Sequence, residues 1–191
     1  KKEVPIPSPP KPQEPHRTER TTPSYPTEAG KSIQEIAKQA EPAVFLVFTQ
    51  NGGGQTIGQG TGFFIDNKGT AVSNFHVFDE GKKWTIQTQS GQQYPVERIV
   101  KKSKAFDYVQ FQVKGNGNFP NLEIAKTTPE KGEEILVLGN PKGLESTLSR
   151  GIVSSIREQD YEDDLIQIDA AISPGSSGSP VMNMNGEVVG I

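Results

Sequence analysis

The sequence predicts an all-β protein whose strands fall into two consecutive sets, each built as a barrel or a sandwich. Three observations carry this. The chain is rich in short Val/Ile/Phe runs, residues that fit a pleated, half-buried surface. Those runs recur about every 8–12 residues with Gly-, Asn- and Asp-bearing turns between them. An irregular stretch from Gly115 to Pro120 divides them into two groups of similar size. Two packed β-halves leave a cleft between them, a common place for a site.

The chain does not begin with regular structure. Residues 1–30 hold eight of the fifteen prolines, with five basic and four acidic side chains that nearly cancel. Such a segment reads as an extended linker, reaching on the order of 90 Å if fully polyproline II at ~3.1 Å per residue. A featureless tail, a tether holding the rest off a membrane and a Pro-rich ligand for another module are the three readings. Order is expected from Lys31. Ser32 and Glu35 fit a capping box, and Ile33, Ile36, Ala37 and Ala40 share one helical face until Pro42 stops the helix.

In the first set, Ala43–Thr49 reads as a strand and Gly52-Gly53-Gly54 as a mobile loop. Thr61–Ile65 and Thr70–Ser73 flank Asp66-Asn67-Lys68-Gly69, a hairpin signal. Trp84–Gln89 and Gln92–Val100 flank the Ser90-Gly91 turn. Lys101–Lys104 reads as an exposed polar loop before the alternating strand Tyr108–Val113. The second set comprises Glu134–Gly139, Thr147–Ser155, Leu165–Asp169, Pro180–Met182 and Glu187–Ile191. Glu158, Asp160, Glu162, Asp163 and Asp164 form an acidic loop whose spacing lacks the glycine and periodicity of an EF-hand, so a solvated hairpin tip is expected.

Bulk properties narrow the chemistry. About 160 residues remain once the linker is set aside, enough to bury roughly 70% of their unfolded surface. The net charge is −3, with no strongly basic face, which argues against a nucleic-acid partner. There is no cysteine, so disulfides, thiolate catalysis and thiolate zinc sites are excluded. The longest apolar run, Ala43 to Phe48, is far short of the ~20 residues of a membrane helix. A start at Lys1-Lys2 without an initiator Met reads as a processed piece with any signal or anchor upstream.

Chemistry concentrates near the other end. In Ile172-Ser173-Pro174-Gly175-Ser176-Ser177-Gly178-Ser179-Pro180, glycines flank serine in a tight loop. Such a loop exposes a hydroxyl beside backbone N–H groups able to receive an oxyanion, although Gly/Ser/Pro clusters are usually plain turns. A serine nucleophile needs a base. Of two histidines, His16 lies in the linker, and His76 follows a predicted strand among apolar neighbours, where a packed core residue and a base are both readings. Asp107, at the entry of Tyr108–Val113, is placed to turn inward and accept the imidazole Nδ1–H. Asp66 belongs to a turn, Asp79 is too near His76 in sequence, and Asp169 better ties down backbone.

Four blocks in order resemble the trypsin-like serine peptidases, and within them the HtrA/Deg branch. They are Gly60-Thr61-Gly62-Phe63-Phe64-Ile65; Ser73-Asn74-Phe75-His76-Val77 with Asp107-Tyr108-Val109; Gly139-Asn140-Pro141-Lys142-Gly143-Leu144 with Ser149–Ser154; and Gln167–Ile172 running into Gly175-Ser176-Ser177-Gly178. The likeness covers residues 32–191. It implies a chymotrypsin-like pair of six-stranded antiparallel barrels, at about 43–117 and 121–191, in a protease domain spanning 31–191. It implies Ser177 as nucleophile, His76 as base and then acid, Asp107 as the orienting group, and the N–H groups of Gly175 and Ser177 as the oxyanion hole. Ala171, Ile172 and Ser173 would border the substrate pocket. Ala171 stands where trypsin-type enzymes carry an acid, so a small or medium apolar residue is expected before the cut.

The resemblance further implies a serine endopeptidase of protein quality control or processing, acting on unfolded or extended polypeptides in the cell envelope. Neither a metal nor an organic cofactor is expected, and homo-oligomers are a habit of the branch. The alternative is a silent or latent two-barrel relative that binds peptides or serves as a scaffold. Ser176 departs from the Asn or Asp frequent in the family. Ser179 replaces the second Gly usual in the branch, giving a Gly-Ser-Pro ending that resembles the glutamyl endopeptidases. No stretch corresponds to the PDZ module common in the branch. Only five strands are countable in the second set, so that barrel is expected to lack its last strand and one pocket wall.

Overall fold

The structure is a computed structural model that describes residues 31–139, 146–157 and 165–191. The linker 1–30, the Asn140–Leu144 part of the third block and the acidic loop 158–164 lie outside the described residues.

Helix α1 (Ile33–Ala40) forms where the capping box places it. Ser32 Oγ accepts the Glu35 N–H at 3.3 Å, and Glu35 Oε2 accepts the Ser32 N–H at 2.8 Å. The Ser32 N–H and, after it, the Ser32 hydroxyl donate to the Glu35 carboxyl and hold it below its usual pKa. Pro42 ends the α-helix but not the helical path, because a proline in a first turn has no N–H to lose. A 3₁₀ turn over Glu41–Ala43 carries the chain on into strand β1 (Val44–Gln50).

Six strands close a barrel in the order β1-β2-β3-β6-β5-β4, with β2 Thr56–Phe64, β3 Thr70–Asn74, β4 Lys83–Thr88, β5 Gln93–Ser103 and β6 Tyr108–Val113. Phe45, Phe64 and Phe111 fill it, with the Phe45 and Phe64 ring centroids 4.6 Å apart. Phe119, from the stretch after β6, plugs one end against Phe64 at 4.7 Å. Five further strands form an open, curled sheet ordered β11-β10-β7-β8-β9: β7 Glu134–Gly139, β8 Thr147–Arg157, β9 Leu165–Ile168, β10 Val181–Asn183 and β11 Val188–Gly190. The all-β, double-barrel expectation holds, with the second half a five-stranded open sheet.

Continuous apolar runs mark strands covered on both faces. In β1, Phe45 and Val47 point into the closed barrel, while Val44 joins a second core with α1, Phe63, Leu136, Leu138 and Met182. In β7, Leu136 and Leu138 face that shared core, and Ile135 and Val137 line the concave side of the open sheet. The shared core fixes one half against the other and so sets the groove between them.

Three local expectations change. The triglycine is a tied turn rather than a mobile loop: Asn51 Oδ1 accepts the Gly53 and Gln55 N–H groups, each at 3.0 Å. Strand β2 starts at Thr56, earlier than expected, and Lys101–Ser103 belong to β5 rather than to a loop. The Lys101 and Lys102 ammonium groups sit 5.5 and 5.7 Å from the Tyr108 and Phe75 ring centroids.

Candidate active site

Strand β3 runs into a single helical turn, α2 (Phe75–Phe78). Two buried side chains anchor that turn. Val77 packs inward, and the Phe78 ring lies 5.3 Å from Trp84 and 4.9 Å from Phe111. Thr49 Oγ1 donates to the Val77 carbonyl. With the apolar face spent on the core, His76 projects from the opposite face, its side chain 55% exposed. The core-residue reading of His76 is thereby excluded.

Register brings the acid to it. Asn74 pairs with Tyr108 across β3 and β6, so Asp107 stands opposite Phe75. Asp107 Oδ1 accepts the His76 backbone N–H at 2.9 Å, and Oδ2 lies 2.7 Å from His76 Nδ1. A carboxylate only accepts, so Nδ1 carries the ring proton and a neutral imidazole keeps its lone pair on Nε2. The Asp107 carbonyl accepts the Phe75 N–H at 3.0 Å and Asn74 Nδ2 at 2.8 Å. Asp107 alone among the described non-glycine residues has a positive φ, 49°. Aspartate visits this left-handed region more readily than most residues, and such conformations cluster at functional sites.

Ser177 comes from the other half, on the loop between β9 and β10. Two turns shape it. The Ser176 N–H bonds the Ser173 carbonyl at 3.0 Å, and the Ser179 N–H bonds the Ser176 carbonyl at 2.9 Å. Each turn needs a positive φ at its third residue, supplied by Gly175 at 98° and Gly178 at 86°; Pro174 sits at the second place of the first turn, which its fixed φ suits. Gly175 and Ser177 enter this network as acceptors through their carbonyls, while the hydrogen bonds donated by the loop's backbone come from its other residues.

The loop is bonded to the closed barrel. The Thr61 N–H donates to the Ser177 carbonyl at 2.8 Å, and Thr61 Oγ1 to the Gly175 carbonyl at 2.7 Å. Asn74 Oδ1 accepts the Gly178 N–H at 2.6 Å, and Ser73 Oγ supports Thr61 through its carbonyl at 2.6 Å. The approach is close: a Cβ at Gly60 would stand 2.6 Å from Val77, the neighbour of His76, and 3.1 Å from the Ser177 carbonyl. The His76 turn and the Ser177 loop thus converge on β2. Thr61, Ser73 and Asn74 were not singled out in the sequence as site residues. For Thr61 and Ser73 the signal was polarity inside strands that otherwise bury apolar groups, since both are fully buried.

A cavity of about 720 Å³ opens beside Ser177, walled by Ile166, Ile168 and Val181 of the open sheet and by Tyr108 of the barrel. Ile172 and Ser173 line it; Ile172 is 74% exposed, and Ala171 is not part of its lining. Asp169 does tie backbone, but on the adjacent strand, accepting the Ile152 N–H at 2.7 Å. Asp66 is a turn residue, its Oδ1 accepting the N–H groups of Lys68 and Thr70. Among the described residues, no cluster of His, Asp and Glu is arranged to hold a metal ion.

A closed barrel and an open curled sheet that meet at a His–Asp pair and a glycine-flanked serine define the chymotrypsin-like class. A family model for the trypsin-like peptidase domain matches residues 60–191, and the chain belongs to that family. It is 35% identical over 139 residues to a probable periplasmic serine endoprotease DegP-like protein of Chlamydia pneumoniae, covering 70% of this chain and 28% of that protein. It is 34% identical over 151 residues to the periplasmic serine endoprotease DegP of Escherichia coli, covering 74% of this chain and 31% of the relative. A crystal structure of the serine endoprotease from Yersinia pestis superposes with a TM-score of 0.71 at 26% identity, covering 86% of this chain and 58% of the other. The chain therefore spans under a third of the length of these two sequence relatives. Among the described residues, no helix is long and apolar enough to cross a membrane.

Proposed function

We propose that this chain is a serine endopeptidase of the HtrA/Deg type, with Ser177 as nucleophile. Ser177 Oγ attacks the peptide carbonyl while His76 Nε2 takes its proton. The new oxyanion is received by the N–H groups of Gly175 and Ser177, and His76 returns the proton to the leaving amine. Water then repeats the sequence on the acyl-enzyme. Asp107 holds the imidazole in the required tautomer and offsets the charge of the imidazolium. The observation that carries this reading is the Asp107 carboxylate receiving both the backbone N–H and the Nδ1 side of His76, at 2.9 and 2.7 Å. A peptide-binding scaffold has no use for that arrangement.

The groove is open and its walls are largely aliphatic, which suits extended or unfolded polypeptides with a small or medium apolar residue before the cut. The relatives named as periplasmic support an extracytoplasmic setting for this chain. The test is casein cleavage together with labelling by a peptidyl phosphonate. The parent chain should show both, and Ser177→Ala should lose both. Labelling of Ser177→Ala at the parent level would remove Ser177 from its role, and a parent that neither cleaves nor labels would leave a binding module.

A further inference from the structure

Asn74 is bonded to the surroundings of all three candidate catalytic groups, and the role inferred for it rests on the enzymatic reading of the chain. It lies two residues before His76. Its Nδ2 donates to the Asp107 carbonyl at 2.8 Å, and its Oδ1 accepts the N–H of Gly178, the residue after Ser177, at 2.6 Å. The Gly178 N–H and the Ser177 carbonyl are the two ends of one peptide unit. The Asn74 side chain takes one end and the Thr61 N–H the other, at 2.8 Å. A peptide plane held at both ends cannot swing, and its orientation fixes the torsion from which Ser177 Oγ departs.

The chemistry asks for asparagine here. Aspartate would accept from Gly178 but place negative charge against the Asp107 carbonyl, leucine would do neither, and glutamine would overshoot by a methylene. Gly178 has no latitude of its own, because a Cβ there would stand 2.1 Å from the Thr61 carbonyl oxygen and 2.4 Å from Ser73 Oγ. Gly178 is buried, so without Asn74 its N–H would be left unpaired away from water.

We propose that Asn74 is the positioning residue of this site: it locks the Ser177–Gly178 peptide plane to the Asp107 corner and thereby aims the nucleophile. The experiment compares the parent chain with Asn74→Ala and Asn74→Asp, using casein turnover normalised by phosphonate titration and amide hydrogen exchange of ¹⁵N-labelled protein. In Asn74→Ala, kcat should fall by about 10–100-fold with KM within about threefold, the size expected for misaligned groups rather than lost binding. Gly178 N–H exchange should accelerate while β3 and β6 amides stay protected. Asn74→Asp should keep the Gly178 protection, since its carboxylate still accepts. Unchanged kcat in Asn74→Ala overturns the proposal. So does unchanged Gly178 exchange, or a kcat loss accompanied by lost protection throughout β3 and β6. Should the parent show no turnover, the enzymatic reading fails on its own, and the Gly178 amide still decides whether the bridge exists.

Discussion

The closed barrel and the open sheet divide the work differently. The barrel supplies His76 and Asp107 from adjoining elements, β3–α2 and the entry to β6, where strand register brings the two together. The open sheet supplies Ser177 on a loop whose shape depends on two glycines and whose backbone is bonded to the barrel. Its concave side is left to line a cavity. On the proposed mechanism, charge is handled where the fold is shut and the substrate is received where it is open. Ser177, the proposed nucleophile, belongs by sequence to one half and by the hydrogen bonds of its loop to the other.

The largest effect that would break this division is at the charge-handling side. Asp107→Asn should keep the fold and lower kcat by about 10⁴, because the amide favours the wrong tautomer. A variant retaining a tenth of the parent kcat would remove the carboxylate from the scheme. Stability should separate the halves next. Phe111→Ala, inside the closed barrel, should cost about 3–5 kcal/mol in denaturant unfolding. Ile172→Ala, on the exposed rim of the cavity, should cost under about 0.5 kcal/mol, and its effect should fall on KM for apolar substrates. Equal costs at both sites would erase the distinction.

A smaller effect tests the bond between the halves. Thr61→Val removes the donor to the Gly175 carbonyl, and kcat should drop by about tenfold with a stability loss near 1–2 kcal/mol. The smallest concerns the β2–β3 turn. Burial works against the Asp66 charge, but the hydrogen bonds from Thr70 and Lys68 prevail and hold its carboxyl below the usual 3.8. A lowered folded pKa means stability present above the unfolded value and lost as pH falls through the folded one. Asp66→Ala should therefore cost under about 1 kcal/mol near neutral pH, given how exposed the group is. Part of that difference should vanish in acid titration of both proteins.

Much of this was legible in the sequence, for reasons that can be named. Glu134–Gly139 and Tyr108–Val113 were found to the residue because their apolar runs answer to burial on two faces or on alternate ones. His76, Asp107 and Ser177 stood out through residue type, and the structure sets the first two in contact while bonding the loop of the third to the same barrel end. Thr56–Gly60 was missed because Gly58 and Gly60 give no hydrophobic signal; at Gly60 the missing side chain makes room for Val77 and the Ser177 backbone. Lys101 and Lys102 looked like a loop because their charges face out, although they lie along aromatic rings. Asn74 carried no signal at all, since its value lies in two bonds to residues distant in sequence.

The core shared by α1, Val44, Phe63, Leu136, Leu138 and Met182 has a thermodynamic consequence. Neither half can melt without stripping apolar surface from the other, so heating should give one calorimetric peak, with equal van't Hoff and calorimetric enthalpies. Damage to packing far from the groove then silences the protein by unfolding it whole, with no half-ordered species in between.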